Sequence, residues 1–329
     1  MYTEPRDLDR AALADVLERR WSIPLRSIDY MPVGFGSHHW AADAVDGSRW
    51  FVSVDDLEAA HHTGRSPNDV FAALDRAFRT AAALRDDAGM EFVLAPIRSD
   101  DGTVLHRLGT RYAVRVDPFV EGAAAPTGEF TSPDERRQMG TLLGCLHAAS
   151  GRVPAGLPGR EDFVLPARAA LGDALGRLDE PWDHGPFAEP ARALLRAHAD
   201  AIRDRLAAYD RVSAAVGDQP TPWVVTHGEP HNANVLRDPD GTVQLVDWDT
   251  VLIGPRERDL WMTLDAGLVG WDEYRDVVGD VSLDEQALAL YRERWALAEI
   301  CGYAAAFRRP HEDTEEMRES WEDLGEYLP

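Results

Sequence analysis

Lysine is absent. All 34 basic residues of this 329-residue chain are arginine, so no ammonium side chain is available for catalysis or for holding an anion. Cysteine is scarce: Cys145 and Cys301 stand far apart in helix-like stretches. Two thiols exclude a disulfide framework and a four-cysteine zinc site, and leave buried spectators as the expectation. No apolar run approaches the roughly 20 residues of a membrane span. The opening MYTEPRDLDR is charged and lacks the apolar stretch of a secretory signal, so a cytoplasmic protein is expected. Positive charge is the third shortage, with 34 basic against 58 acidic residues and a net charge of −24. That balance argues against a phosphate-backbone partner such as nucleic acid and suits either a cationic small molecule drawn into an acidic cleft or solubility alone. Apolar residues reach 44%, ordinary for a globular protein with a sizeable core.

The first third alternates short strand-like runs with helical patterns. DLDRAALADVLERRW (7–21) carries apolar residues at helical spacing. IDYMPVGFG, HHWAADAV and RWFVSVDD read as strands, the last two joined by an Asp46-Gly47 hairpin turn. Ser66-Pro67 opens a further helix, and FVLAPIRS and TVLHRLGTRYAVRVDPFV, the second broken at Gly109, read as more strands. After Glu121-Gly122 comes a small, Pro-containing linker, GAAAPTGEFTSP, and then mainly helices: 133–149, about 187–212 and 284–308, the last with a Ser282/Glu285 capping box. Two strand-like runs, WVVTHG and VQLVDWD, interrupt them around an Asp240-Gly241 turn. The expected architecture is α+β: an N-terminal lobe of antiparallel sheet with one inserted helix (1–116) and a mainly helical C-terminal lobe (117–329), with the ligand in a cleft between them.

THGEPHNANVL (226–236) followed by QLVDWDT (244–250) is the segment that carries chemistry. A carboxylate before a hairpin, an Asn five residues on and a carboxylate at the hairpin's end suit phosphoryl transfer. One group orients the attacking hydroxyl, and the other two offer hard oxygens to Mg²⁺ on the nucleotide phosphates. Glu229, Asn234 and Asp247 stand in that order. Zinc chemistry is excluded on two grounds. His227-Gly228-Glu229 has no P-C-x-x-C downstream, and Gly228 and Pro230 forbid the helix that would aim His227 and His231 together.

H-G-E-P-H-N-A-N-V-L and L-V-D-W-D, with Ile253-Gly254-Pro255 and Asp259-Leu260 beyond and QMGTLLGCLHAAS upstream, resemble the aminoglycoside phosphotransferase family. The resemblance implies a protein-kinase-like, two-lobed fold and a kinase that moves a phosphoryl group from ATP to a small-molecule hydroxyl, the acceptor being aminoglycoside-like or another cationic natural product. It implies Glu229 as the catalytic carboxylate, Asn234 and Asp247 as Mg²⁺ ligands, Asp259 as a structural partner beneath the loop, and His227 and His231 as groups that orient it. VGFGSHHW offers Gly34, Gly36 and Ser37 as a phosphate-covering loop or an ordinary hairpin loop; His38 and His39 could lend cationic contacts to phosphates, but singly each reads as incidental, and His61 and His62 read as solvated surface. VDPFV (116–120) falls where the family connects its lobes. Backbone groups of Val116, Phe119 or Val120 would meet the adenine edge, because Pro118 has no N–H.

Two positions depart from the family. Its phosphate-binding lysine has Ser53 in its slot, and the helix that would supply the partner glutamate offers Asp75, Arg76 and Arg79. Arg79 and Arg115 are the candidates to restore the charge. Glu229 replaces the family's aspartate, one C–C bond longer, about 1.5 Å. The competing expectation is therefore a catalytically impaired member that binds a nucleotide or another ligand.

Overall fold

A computed structural model describes residues 3–328 except 35, 59–65, 125–129, 239 and 265–266. His61, His62, Phe35 and much of the 122–133 linker thus lie outside the described residues. In chain order the elements are α1 (Arg10–Trp21), β1 (Leu25–Met31), β2 (Ser37–Ala44), β3 (Arg49–Asp56), α2 (Pro67–Ala82), β4 (His106–Leu108), β5 (Tyr112–Pro118), β6 (Ala123–Ala124), α3 (Pro133–Ala148) and β7 (Gly159–Arg160). They continue with α4 (Arg168–Gly176), α5 (Ala188–Gly217), β8 (Val224–Thr226), β9 (Val235–Arg237), β10 (Val243–Leu245), β11 (Leu252–Gly254), α6 (Glu257–Thr263), α7 (Trp271–Val278), α8 (Glu285–Phe307) and α9 (Glu315–Tyr327). The chain packs as two compact units, one of Met1–Ala59, Ser66–Glu161 and Pro222–Ser282, the other of Asp162–Thr221 with Leu283–Pro329.

The first unit holds an antiparallel sheet in the order β1-β2-β3-β5-β4. Its strands alternate. Trp40, Val52, Val54, Val114 and Val116 point to one side and form a core with Leu13, Leu17 and Trp21 of α1. The residues between them, His39, Ser53, Asp55, Arg115 and Asp117, face the other side, since neighbours along a strand point oppositely and cross-strand partners point together. Asp9 caps α1, and Ser66 with Asp69 completes a capping box on α2.

Three expectations need correcting. FVLAPIRS is not a ladder strand: it is an extended bridge, with Leu94 N–H bonded to Leu245 O (3.0 Å) and Ile97 N–H to Val116 O (2.8 Å). Pro96 removes a donor that a central strand would need, and the segment ties the sheet to the β9–β10 hairpin instead. The cap of α8 is Asp284, whose carboxylate accepts from Gln286 and Ala287 N–H, and not Ser282. The C-terminal strands number more than two, because β9 and β11 are three residues each, too short to show alternation. In the second unit α4, α5, α8 and α9 share an apolar core that includes Leu171, Leu195, Ile202, Leu297, Phe307 and Leu324. No helix among the described residues is long and apolar enough to cross a membrane.

Candidate active site

The loop between β8 and β9 is held from beneath by one carboxylate. Asp259, fully buried on α6, accepts the N–H groups of His227 (2.8 Å) and Gly228 (2.7 Å) and the Nε2–H of His147 (3.0 Å). Because a carboxylate only accepts, His147 carries its proton on Nε2, and its Nδ1 then takes the Tyr274 hydroxyl at 2.8 Å. Burial alone would raise Asp259, but the His147 hydrogen bond and the surrounding positive charge hold it below the usual aspartate range. Gly228 has φ +105°, and a Cβ there would run into the Arg258 guanidinium, so only glycine fits. Arg258 in turn donates to Thr226 Oγ1 and Thr250 O (2.9 Å each) and pairs with Glu161 (3.4 Å).

His227 joins three parts of the site. Its Nε2–H donates to Val246 O (2.8 Å), its Nδ1 accepts Glu229 N–H (3.2 Å), and Trp248 packs edge-on at 4.5 Å. Burial pushes this imidazole down to about 4 from 6.5, so it is neutral and holds the loop rather than exchanging protons. The unfolded chain takes up its proton first. Stability should therefore fall as pH drops from about 6.5 toward about 4, by up to about 3 kcal/mol. Urea unfolding at pH 7.5 and 4.5 should show this loss shrinking in His227→Gln; equal losses in the two proteins would refute the assignment.

Glu229, Asn234 and Asp247 are brought onto one frame. Asn234 Nδ2 donates to Glu229 O (2.9 Å), and Asn234 O accepts Val246 N–H (3.0 Å), one residue before Asp247. Asp247 itself sits at φ 64°, ψ 66°, a left-handed conformation that Asp tolerates better than most residues and that recurs at functional sites. Asp247 and Asp249 are both open to solvent although protein surrounds them closely, the mark of a concave floor. Partial removal from water raises Asp247, and the same effect plus the charges of Asp247 and Glu229 raises Asp249 well above the aspartate range.

Above this floor the polar face of the sheet supplies more charge. Arg115 donates to both oxygens of Asp55 (2.9 and 3.2 Å), lies 3.4 Å from Asp117, and stacks over Phe78 at 4.2 Å. Burial, opposed by Arg115, holds Asp117 up at about 6. Ser53 is fully buried directly opposite Arg115 in the β3–β5 register, with His39 Nδ1 3.2 Å from its Oγ. Burial pushes His39 down to about 3 and lowers His38 as well, so both are held toward the neutral form. Gly34 and Gly36 adopt φ +67° and +83° in the exposed turn before β2, and Ser37 Oγ donates to Asp55 at 2.6 Å.

The remaining predicted residues lie apart from this cluster. Arg79 is exposed and pairs along α2 with Asp75 at 3.4 Å. The Val116 side chain is in the α1-side core and its carbonyl is taken by Ile97, while Phe119 lies under the Arg49 guanidinium at 4.2 Å. A cavity of about 310 Å³ elsewhere in the unit, lined by Asp86, Leu94, Ile97, Pro118, Val120 and Gln244 among others, includes none of Glu229, Asp247, Asp249, Asp55 and Asp117. Asp55, Asp117 and Asp249 were not singled out from the sequence. The signal existed, since Ser53/Asp55 and Arg115/Asp117 interrupt the apolar stretches of two strands at a period of two.

Comparison with known proteins agrees with this fold. The model of the phosphotransferase enzyme family matches residues 42–300. Protein StrN of Streptomyces griseus is 31% identical over 260 residues, covering 75% of this chain and 74% of its own. A spectinomycin phosphotransferase in complex with ADP and spectinomycin superposes with a TM-score of 0.72 at 17% identity, over 98% of this chain and 95% of its own. A microcompartment-associated aminopropanol kinase does so at 0.60 and 19%, over 97% and 95%. At such identities the superpositions speak for the fold.

Proposed function

The chain belongs to the phosphotransferase enzyme family, and on that premise we propose that it transfers the γ-phosphoryl group of ATP to a hydroxyl of a cationic, aminoglycoside-like small molecule. The observation that carries this reading is the single hydrogen-bonded frame that joins Glu229, Asn234 and Asp247. In this reading residues 1–116 carry the nucleotide, and the chain from 117 onward supplies the catalytic loop, the metal ligands and the acceptor site. The acidic floor and the net charge of −24 favour a cationic acceptor.

The donor set fits Mg²⁺. Asn234 and Asp247 offer hard oxygens, and a site of one or two protein ligands completed by phosphate and water is what this ion takes. Carboxylates raised by removal from water and, for Asp249, by neighbouring negative charge are also a place where added positive charge is stabilising. When bound there, Mg²⁺ would neutralise charge on the phosphates.

Phosphoryl transfer asks a protein for positioning and electrostatics more than for covalent chemistry. Glu229 faces that task with a backbone fixed at both ends, its N–H on His227 Nδ1 and its C=O under Asn234 Nδ2. From that fixed origin the longer side chain would orient the acceptor hydroxyl and accept its proton. Gly34, Gly36 and Ser37 would cover the phosphates as a loop whose glycines carry no side chain.

Glu229→Gln tests the reading. Its kcat for ADP release with Mg²⁺-ATP and an aminoglycoside or amino-alcohol acceptor should fall on the order of a hundred-fold, with KM for ATP unchanged. Wild-type protein that shows neither a Mg²⁺-dependent thermal shift with ATP nor turnover across such a panel would sink the reading. Full activity in Glu229→Gln would move the proton acceptor elsewhere.

A further inference from the structure

We propose that Arg115 is the phosphate-binding cation of this chain, reaching the nucleotide from β5 across the space that Ser53 leaves on β3. The proposal rests on the phosphotransferase reading above. A transferring triphosphate must be met by fixed positive charge as well as by metal, and a chain without lysine must meet it with arginine.

The sheet register puts the two residues side by side. Ser53 and Arg115 are direct partners across β3 and β5, so their side chains leave the same face. Ser53 ends at its hydroxyl, and His39 on its other flank is held neutral by burial; the guanidinium is the positive charge that the described residues place at that point. Asp55, Asp117 and the Phe78 ring aim it. Asp55 uses NH1 and Asp117 flanks Nε, while NH2 donates to no described residue. A planar fork can keep one carboxylate through one nitrogen and offer the other to a phosphate oxygen. The Phe78 ring beneath the Arg115 guanidinium belongs to α2, which packs against the Trp248–Thr250 turn that follows Asp247. A cation kept only to staple two strands would have its donors used within the protein, and this one does not.

Calorimetric titration of ATP, ADP and adenosine in the presence of Mg²⁺ separates the possibilities. Arg115→Gln should weaken ATP and ADP on the order of ten- to a hundred-fold and leave adenosine binding unchanged. Ser53→Lys combined with Arg115→Gln returns a cation to the same two carboxylates from the neighbouring strand. It should fold and recover ATP affinity to within several-fold of wild type. This double variant decides the matter if Arg115→Gln does not fold. Arg115→Gln that still prefers ATP over adenosine as strongly as wild type would overturn the assignment. So would a folded double variant with no preference for ATP. Wild-type protein that binds none of the three would instead overturn the phosphotransferase reading beneath it.

Discussion

Asp247→Asn should lower turnover on the order of a thousand-fold or more while leaving the fold in place. Loss of one metal-directed carboxylate removes several kcal/mol of transition-state charge stabilisation, and about 4 kcal/mol is a factor of a thousand. Asparagine is the informative replacement. It keeps the shape, and it tolerates the left-handed backbone at φ 64° nearly as well as aspartate, whereas alanine would add strain and confuse the two effects. Stability should hold or rise, because Asp247 is open to solvent and its charge pushes Asp249 upward; removing it relieves like-charge repulsion. Initial rates of ADP release, read beside the thermal midpoint, give both quantities. A variant that keeps more than a tenth of wild-type kcat would show that Asp247 is not at the reacting phosphates.

What the sequence disclosed follows from how local each signal is. The HGE…N…VD spacing needs only about twenty consecutive residues, and those residues indeed fold as one hydrogen-bonded frame. β3 occupies the RWFVSVDD run because Asp46-Gly47 fixes the turn before it and Val52 and Val54 alternate with polar neighbours. Arg115 is different. Its partner Asp55 lies sixty residues away, and nothing in either strand alone indicates that the register will oppose Arg115 to Ser53. The charged face exists only once the order β3-β5 is set. Asp249 was hidden for another reason: it sits two residues from a stronger candidate, and its closeness to Glu229 depends on the turn at Trp248–Thr250. FVLAPIRS misled because apolar content suggests a strand, while Pro96 turns it into a bridge.

Asp259→Ala should cost about 3–5 kcal/mol of stability, the largest loss expected from any single change in the loop. The side chain is 0% exposed and satisfies three donors at once: two consecutive backbone N–H groups and the His147 ring. Alanine leaves all three buried without partners, at about 1–3 kcal/mol each before relaxation, in the range found when one side of a buried charged pair is removed. Asp259→Asn should lose less. Its Oδ1 can still accept the Gly228 N–H, but its amide group then faces the two other donors, the His227 N–H and the His147 ring. Relief would require His147 to move its proton to Nδ1, and that would set it against the Tyr274 hydroxyl that now donates there. The normal protein should also lose part of this stabilisation in acid. Asp259 is held below its unfolded value, so its contribution is present above that value and vanishes as pH falls through the lower, folded one. Urea unfolding of the two variants and the wild type at pH 7.5 gives the ordering. Should Asp259→Ala lose under about 1 kcal/mol, water must be reaching the His227 and Gly228 N–H groups, and the loop that aims Glu229 would then be held chiefly by His227 and Asn234.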